Sequence, residues 1–154
     1  MFRWRKKEAP QPDEMGRLPG WYYAMKGQTS ELRHALEAGL DPNHADMDGM
    51  TMMAVAANYG QNDAIKVLFD HGADPNIVDK HGNGPLWAAT REASQINFPG
   101  GPPATPETVK LLLEGGAEPA LKNKAGAVPA GWAGILPELK AVYRAAGYSG
   151  PFDL

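Results

Sequence analysis

Apolar residues recur at helical spacing along the chain, and each such run is followed by a glycine. The pattern is clearest at 32–39, 65–72 and 111–116. Apolar positions three or four residues apart predict amphipathic helices, and the glycine predicts the point where each helix ends. The chain is therefore expected to be all-α, with short helices that share one core.

The glycines keep a fixed interval of 33 residues. Positions 16, 27 and 39 are glycines, and so are positions 49, 60 and 72. A third unit runs from Gly82 to Gly116, 11 residues longer than the interval requires, and a fourth runs from Gly126 to Gly147. A repeat of this length predicts stacked copies of one helical unit, each too small to bury its apolar side alone.

A proline-containing turn follows the helix-ending glycine. The chain reads AGLDPN at 38–43, HGADPN at 71–76 and GGAEPA at 115–120. Proline fixes φ, and Asp and Asn side chains satisfy nearby backbone groups, so each copy predicts the same chain reversal. The copied turn is expected to stack successive helix pairs in one direction. The residues expected to begin first helices are Pro19, Pro85 and Pro129.

The second unit reads DMDGMTMMAVAANYGQNDAIKVLFDHGADPN, with its glycines, small residues and apolar block in a recognisable order. The positions that carry this order are Gly49, Thr51, Ala56, Ala57, Gly60, 67–69, Gly72, Ala73, Asp74 and Asn76. In this order the unit resembles an ankyrin repeat. The resemblance implies an ankyrin-repeat solenoid of stacked helix-turn-helix units with short finger loops. The family's usual threonine-proline-leucine-histidine start is replaced by TMMA and GPLW, so different packing is expected there.

The repeats divide the chain. Residues 1–15 are interpreted as a basic N-terminal tail, 16–147 as the ankyrin-repeat domain and 148–154 as a C-terminal tail. The repeats are placed at 16–45, 46–78, 79–122 and 123–147, with an inserted loop at 94–104 in the third. The first and fourth match the pattern least, as terminal units of a solenoid often do.

The inserted loop carries two apolar side chains, Ile96 and Phe98, among prolines and glycines. Thr105, Pro106 and Glu107 have the order of an N-cap, a first-turn proline and an acidic first turn, so a helix is expected to restart after the loop. Two interpretations stay open for the loop. It contacts a partner, or Phe98 folds back onto the first helix of its own unit.

Composition narrows the class of function. Net charge is −3, and the tail holds four of the 15 basic and three of the 18 acidic residues, which leaves eleven and fifteen in the body. The rest of the chain is therefore net negative, which is unfavourable for binding the phosphates of a nucleic acid. Cysteine is absent, which excludes a disulfide framework and thiolate metal sites. Because no apolar run suits a secretory signal or a bilayer span, we expect a cytoplasmic protein whose partner is neither nucleic acid nor membrane.

The sequence shows no pattern of catalytic or metal-binding residues. None of the four histidines is paired with another His, Asp or Glu at i, i+4 spacing on one predicted helix. No glycine-rich phosphate loop and no nucleophile elbow is present. We therefore expect no catalytic residue, cofactor, metal site or small-molecule substrate, and a protein that is not an enzyme.

The resemblance implies where a partner would bind. In an ankyrin stack, the finger tips and the outward side of each first helix line one concave face. The candidate partner-binding residues, with Phe98 from the loop, are Tyr22, Met25, Met47, Asp48, Met50, Tyr59, Lys80, His81, Asn83, Arg91, Glu92, Phe98 and Trp132. Aromatic residues, Met and Arg favour contact with protein. The alternative for Tyr22 and Trp132 is that they cover the core in the terminal repeats.

The implied function is a non-enzymatic protein-binding module. Because short bacterial ankyrin proteins often neutralise toxins or effectors, the resemblance suggests an immunity or inhibitor protein with such a partner. The alternative is a regulatory or scaffold subunit that the basic residues Arg3, Arg5, Lys6 and Lys7 recruit to a membrane or nucleic acid.

Overall fold

The computed structural model describes residues 9–153, which form four helix pairs. The helices are α1 Pro19–Lys26, α2 Thr29–Glu37, α3 Met52–Asn58, α4 Asn62–Asp70, α5 Pro85–Ala93, α6 Pro106–Glu114, a 3-10 helix Pro129–Ile135 and α7 Pro137–Ala145. Within residues 9–153 the β pairing is limited to an isolated bridge between Ala45 and Thr51. The predicted all-α class is confirmed.

The helices form two layers that run along the stack. The first helices α1, α3, α5 and the 3-10 helix contact one another in that order, and the second helices α2, α4, α6 and α7 do the same. Each first helix also contacts the second helix of its own pair. The apolar sides meet between the layers, where Ile65, Leu68, Leu112 and Leu139 are fully buried. Stability therefore comes largely from contacts between neighbouring pairs.

Local signals in the sequence set the helix ends as predicted. A proline stands at the first position of α1, α5 and the 3-10 helix. The chain leaves α2, α4 and α6 through Gly39, Gly72 and Gly116, whose φ angles are 110°, 80° and 98°. Only glycine adopts this left-handed region without strain, so these glycines end the helices.

The repeated proline turn links successive units through one side chain. Asn43 Oδ1 accepts the backbone N–H of Asp74 at 2.8 Å. One unit later, Asn76 Oδ1 accepts the N–H of Glu118 at 2.8 Å, and Asn76 Nδ2 donates to the carbonyl oxygen of Gly116 at 3.0 Å. The copied turn therefore bonds the first unit to the second and the second to the third, and the third copy has Ala120 in place of the asparagine.

A second repeated turn opens each unit and was missed in the sequence. Asp13, Asp46, Asp79 and Asn123 each use one side-chain oxygen to accept backbone N–H groups two and four residues later, at 2.8–3.0 Å. The bonds fix the short fingers that precede the first helices. Asp13 lies inside the segment interpreted as the N-terminal tail, so the structure places the first finger there.

The inserted loop lies against the second unit. Ala104 is fully buried, and a Cβ built on Gly60 would meet the carbonyl oxygen of Pro103. The two apolar side chains stay accessible, with 62% of Ile96 and 46% of Phe98 exposed. Helix α6 restarts with the predicted Thr105 cap, which bonds reciprocally with Thr108.

The segment after α7 packs against the fourth pair instead of forming a tail. Tyr143, Tyr148 and Phe152 stack edge to face with ring centroids 5.6–6.1 Å apart. Tyr143 is fully buried, and its hydroxyl lies 2.6 Å from Thr90 Oγ1. The expectation of a C-terminal tail at 148–154 missed this packing, because it depends on aromatic contacts between parts of the chain that no short-range pattern reports.

His44 makes folding sensitive to acid. The N–H of Leu18 donates to His44 Nε2 at 3.1 Å, so the folded chain needs a neutral imidazole. Burial is the main cause that lowers the pKa of His44 below its usual value. The unfolded chain therefore binds a proton more readily, and this contribution to stability is complete above the unfolded pKa of about 6.5 and is lost as pH falls through the lowered folded pKa.

We therefore expect the free energy of unfolding, measured by urea denaturation, to fall over the pH interval that begins near the unfolded pKa of about 6.5 and extends below it. The variant His44→Gln keeps an oxygen that can accept the N–H of Leu18 but does not titrate. Its loss over the same interval should be smaller. Equal losses in the two proteins would show that His44 is not the group responsible.

Candidate concave binding face

The finger tips form one continuous row joined through the backbone. They are residues 14–15, 47–48, 80–81 and 124–125. The N–H of Met47 donates to the carbonyl oxygen of Met15 at 2.8 Å, and the N–H of Lys80 donates to that of Asp48 at 2.8 Å. Lys124 N–H donates to His81 in the same way at 3.0 Å. The concave face is defined here as these tips together with the outward side chains of the first helices.

The candidate residues differ widely in exposure. Met47 and Tyr59 are 73% and 50% exposed, and Lys80 and His81 are also exposed. The half-buried candidates are Tyr22, Met25, Asp48, Met50, Asn83, Arg91 and Trp132, and Phe98 lies in the loop. Glu92 is buried, with 7% exposure. Apart from Phe98, the candidates lie in the fingers or in and next to the first helices, and Glu92 is withdrawn from the surface by its burial.

Several half-buried candidates have roles inside the first two units. Met25 and Met50 pack against the core, and the Met50 carbonyl oxygen accepts the indole N–H of buried Trp21 at 3.0 Å. The Tyr22 hydroxyl donates to the carboxylate of Asp13. That bond is the main cause that lowers the pKa of Asp13. The alternative in which Tyr22 helps cover the core is consistent with its edge-to-face contact with Trp21 at 5.4 Å.

Asp48 and Lys80 form an ion pair across neighbouring fingers. Lys80 Nζ lies 2.8 Å from Asp48 Oδ1. The hydrogen bond is the main cause that lowers the pKa of Asp48 and raises the pKa of Lys80. Both side chains are about half exposed, at 47% and 55%. Solvent screens such a pair, so it orients the two side chains more than it stabilises the fold.

Arg91 contacts two neighbouring polar side chains. Its Nε and Nη2 lie 2.8 and 2.7 Å from Glu92 Oε1, and Nη2 donates to Asn58 Oδ1 on α3 at 3.1 Å. The second carboxylate oxygen of Glu92 accepts from Gln95. Glu92 was predicted to be a partner-binding residue, but the structure buries it against Arg91. Arg91 pairs with the buried carboxylate of Glu92. Without this pairing the burial of the charge would destabilise the fold.

The fourth unit contributes Trp132, which was predicted, and Ile135, which was not. Trp132 meets Trp87 edge to face at 6.3 Å, and in the described part of the chain its Nε1 is the one buried side-chain polar atom without a hydrogen-bond partner. Ile135 is 64% exposed, and Met15 in the first finger is 37% exposed. Ile135 follows Arg91 by 44 residues, and Asn123 follows Asp79 by the same interval. Applying this interval to the sequence would have identified Ile135 as a candidate.

Two other kinds of functional element are absent from residues 9–153. No group of three or more His, Asp or Glu side chains there could hold a metal ion. The same part of the chain contains no helix that is long and apolar enough to cross a bilayer. The arrangement of the face, with apolar side chains around oriented charges, suits contact with another macromolecule.

Comparison with known proteins gives the family. A family model described as ankyrin repeats in three copies matches residues 21–123, more than half of the chain. An ankyrin repeat-containing protein of Schizosaccharomyces pombe is 37% identical over 71 residues, which is 46% of this chain and 34% of that protein. The ankyrin repeat and SAM domain-containing protein 6 of Rattus norvegicus is 33% identical over 121 residues, or 76% of this chain and 12% of that protein.

A third relative carries a regulatory name. The protein phosphatase 1 regulatory subunit 12A of Mus musculus is 39% identical over 59 residues, which is 38% of this chain and 6% of that protein. The chain thus spans about a third or less of the length of these relatives. The repeats, their stacking and the matched family model agree, and the chain is a member of the ankyrin-repeat family, whose repeats serve as protein–protein interaction modules.

Proposed function

We propose that the chain holds one protein partner along its concave face and catalyses no reaction. The supporting observation is the distribution of large apolar side chains that stay exposed. Over the described residues they are Met15, Met47, Tyr59, Val78, Ile96, Phe98 and Ile135. None of them lies on the second helices α2, α4, α6 or α7.

Four of these seven side chains lie at the finger tips or at the ends of first helices, and exposed apolar side chains grouped in this way favour an interface. Met15 and Met47 stand on adjacent finger tips, Tyr59 follows α3, and Ile135 ends the 3-10 helix. Aromatic residues, Met and Arg are enriched at the centres of protein interfaces, whereas a face that only meets water is dominated by small and charged residues. The backbone bonds between fingers hold the face in one shape before binding, which reduces the entropy lost on association.

The test is binding by variants that place a charge on the face without touching the core. Met47→Asp and Ile135→Asp change two exposed side chains, so the fold should be unaffected. We expect the double variant to lose the partner at least about tenfold in a pull-down from the cell of origin followed by calorimetry, because buried unpaired charges oppose association.

A matched control places the same two charges on the second helices. Ser30 lies in α2 and Ala141 in α7, and both are exposed. The variant Ser30→Asp with Ala141→Asp should bind as the unchanged protein does. Circular dichroism should give the same melting temperature for both doubles. Equal capture by the two double variants would exclude the concave face as the binding surface.

Two narrower roles stay predictions. Neutralisation of a toxin or effector rests on the family resemblance alone. Recruitment to a membrane or nucleic acid rests on Arg3, Arg5, Lys6 and Lys7, which lie outside the described residues. A deletion that tests the tail should stop at residue 8, because Asp13 takes part in the first finger.

A further inference from the structure

Two neighbouring side chains hold Arg91 in a fixed orientation. The side chain is 43% exposed on the concave face, but its guanidinium is held by two neighbours. The fork of Nε and Nη2 faces Glu92, and Nη2 also reaches Asn58. A long flexible side chain normally loses rotamer entropy when it binds a partner. In Arg91 most of that loss has already occurred on folding.

The same contacts leave part of the guanidinium available. Arginine has five N–H donors, and Nη1 carries two of them. Neither N–H of Nη1 is bonded to any residue within 9–153. Glu92 Oε1 binds the Nε and Nη2 edge of the guanidinium, and Glu92 Oε2 accepts from Gln95. Arg91 therefore presents two directed donors that can take an acceptor from another molecule.

The surroundings of Arg91 define what else such a molecule carries. Asn58, Arg91 and Ile135 occupy equivalent positions in three successive first helices, since they are 33 and 44 residues apart. Arg91 is thus flanked along the row by exposed Ile135 on one side and by Asn58, with exposed Tyr59 next to it, on the other. An apolar side chain of a partner can pack here while a charged group meets the guanidinium.

Charge is distributed unevenly between the two halves of the face. The first two fingers carry four acidic residues, Asp13, Glu14, Asp46 and Asp48, and one basic residue, Arg17. The third and fourth fingers and the helices behind them present Lys80, Arg91 and Lys124. Their two acidic residues are Asp79, which accepts two backbone N–H groups of its own finger, and Glu92, which is buried. Asp48 pairs with Lys80 at the boundary. The half built by the third and fourth units therefore complements negative charge.

We propose that this half of the concave face binds an acidic segment of a protein partner, with a carboxylate of that segment on Nη1 of Arg91 and an adjacent apolar side chain against Ile135 or Tyr59. The proposal rests on the proposed function and names its partner class. A carboxylate is the acceptor that matches a fixed guanidinium best, because the bonds are charge-assisted and directional. Asn58, Glu92 and Gln95 act as positioning residues, since they orient Arg91 and do not contact the partner themselves.

The test uses a displayed library of random twelve-residue peptides selected on the full chain. We expect the selected peptides to be enriched in Asp or Glu next to Leu, Phe or Trp. One selected peptide and its copy with Gln and Asn in place of Glu and Asp are then measured by fluorescence anisotropy. The acidic form should bind at least about tenfold more tightly, and Arg91→Gln should remove most of that difference.

Stability is controlled by a second variant, because Arg91→Gln deprives buried Glu92 of its partner. Arg91→Gln combined with Glu92→Gln removes both charges together, and it should fold and show the same loss of binding. Lys110→Gln changes an exposed side chain on α6. It is the matched control and should bind like the unchanged protein.

Three outcomes are distinguished. Loss of the acidic preference in both Arg91 variants supports the proposal. Peptides that depend on Met47 and Ile135 but bind the Arg91 variants equally overturn it and leave the proposed function in place. Peptides that are insensitive to all of these changes overturn both.

Discussion

Replacing Leu68 by alanine is expected to lower the free energy of unfolding by about 2–5 kcal/mol, as large-to-small changes in a closed core do. Leu68 is fully buried near the end of α4, in the second helix layer. Helix α4 contacts α2, α3 and α6, so one cavity loosens the contacts of three units. Because a repeat domain is stabilised mainly by contacts between its units, the loss is comparable to the total stability of a small domain.

Urea denaturation followed by far-ultraviolet circular dichroism measures the effect. Leu111→Ala on α6 is the matched control, because that leucine is only partly buried. It removes the same atoms from a site that water already reaches, so the loss should be clearly smaller. Equal losses for the two variants would show that α4 does not occupy the centre of the stack.

Replacing Gly60 by alanine is expected to destabilise the chain more than the same change at Gly72. Both glycines have positive φ, 64° and 80°, so both variants carry the strain of a left-handed alanine, about 1–2 kcal/mol. At Gly72 the added Cβ meets nothing within 4 Å. At Gly60 it meets the carbonyl oxygen of Pro103 and, at 3.1 Å, Cα of Ala104. Overlap with backbone adds about 1–3 kcal/mol.

The difference between the two variants measures how firmly the inserted loop lies against the second unit. Thermal and urea denaturation of both proteins give the two free energies. A second readout is proteolysis at 95–103, where Gly60→Ala should increase cleavage and Gly72→Ala should not, because only the first displaces the loop. Identical stability and identical cleavage would show that the loop is not seated on Gly60.

The repeat architecture could be predicted from the sequence because its signals are local. A glycine with positive φ, a proline at a first turn and an Asx side chain in a turn each act within about four residues. Gly39, Gly72 and Gly116 therefore indicated helix ends without any knowledge of the partner elements. The interval of 33 residues then gave the number of units. A family model matched to 21–123 supports the same conclusion.

The features that were missed depend on contacts between distant residues. Phe152 lies near the end of the described chain, but its ring belongs to a cluster with Tyr143 and Tyr148. Glu92 follows Arg91 directly, and helix periodicity alone does not reveal that one side chain curls over the other to neutralise it. Asp13 was assigned to the tail because the first repeat was counted from Gly16, and the turn at Asp13 is apparent only from its hydrogen bonds.

The sequence indicated which elements carry the candidate site, namely the fingers and the first helices. It was less informative about which residues of these elements are exposed. Met47, Tyr59, Lys80 and His81 are exposed there as expected. The 11-residue insertion lengthens the interval between the third and fourth units from 33 to 44 residues. Ile135 is recognised as the equivalent of Arg91 only when this longer interval is used. Exposure also depends on which neighbour covers a residue, and a single repeat pattern does not contain that information.

The row of fingers has one more consequence. The bonds between tips join backbone atoms of Met15 and Met47, of Asp48 and Lys80, and of His81 and Lys124. Peptide groups are the same in every residue other than proline, so these bonds survive almost any exchange of side chain at the tips. The framework that spaces the contacts is therefore separate from the surface chemistry that selects a binding partner. A new specificity can arise by substitution at the tips alone, while the spacing between them is inherited unchanged.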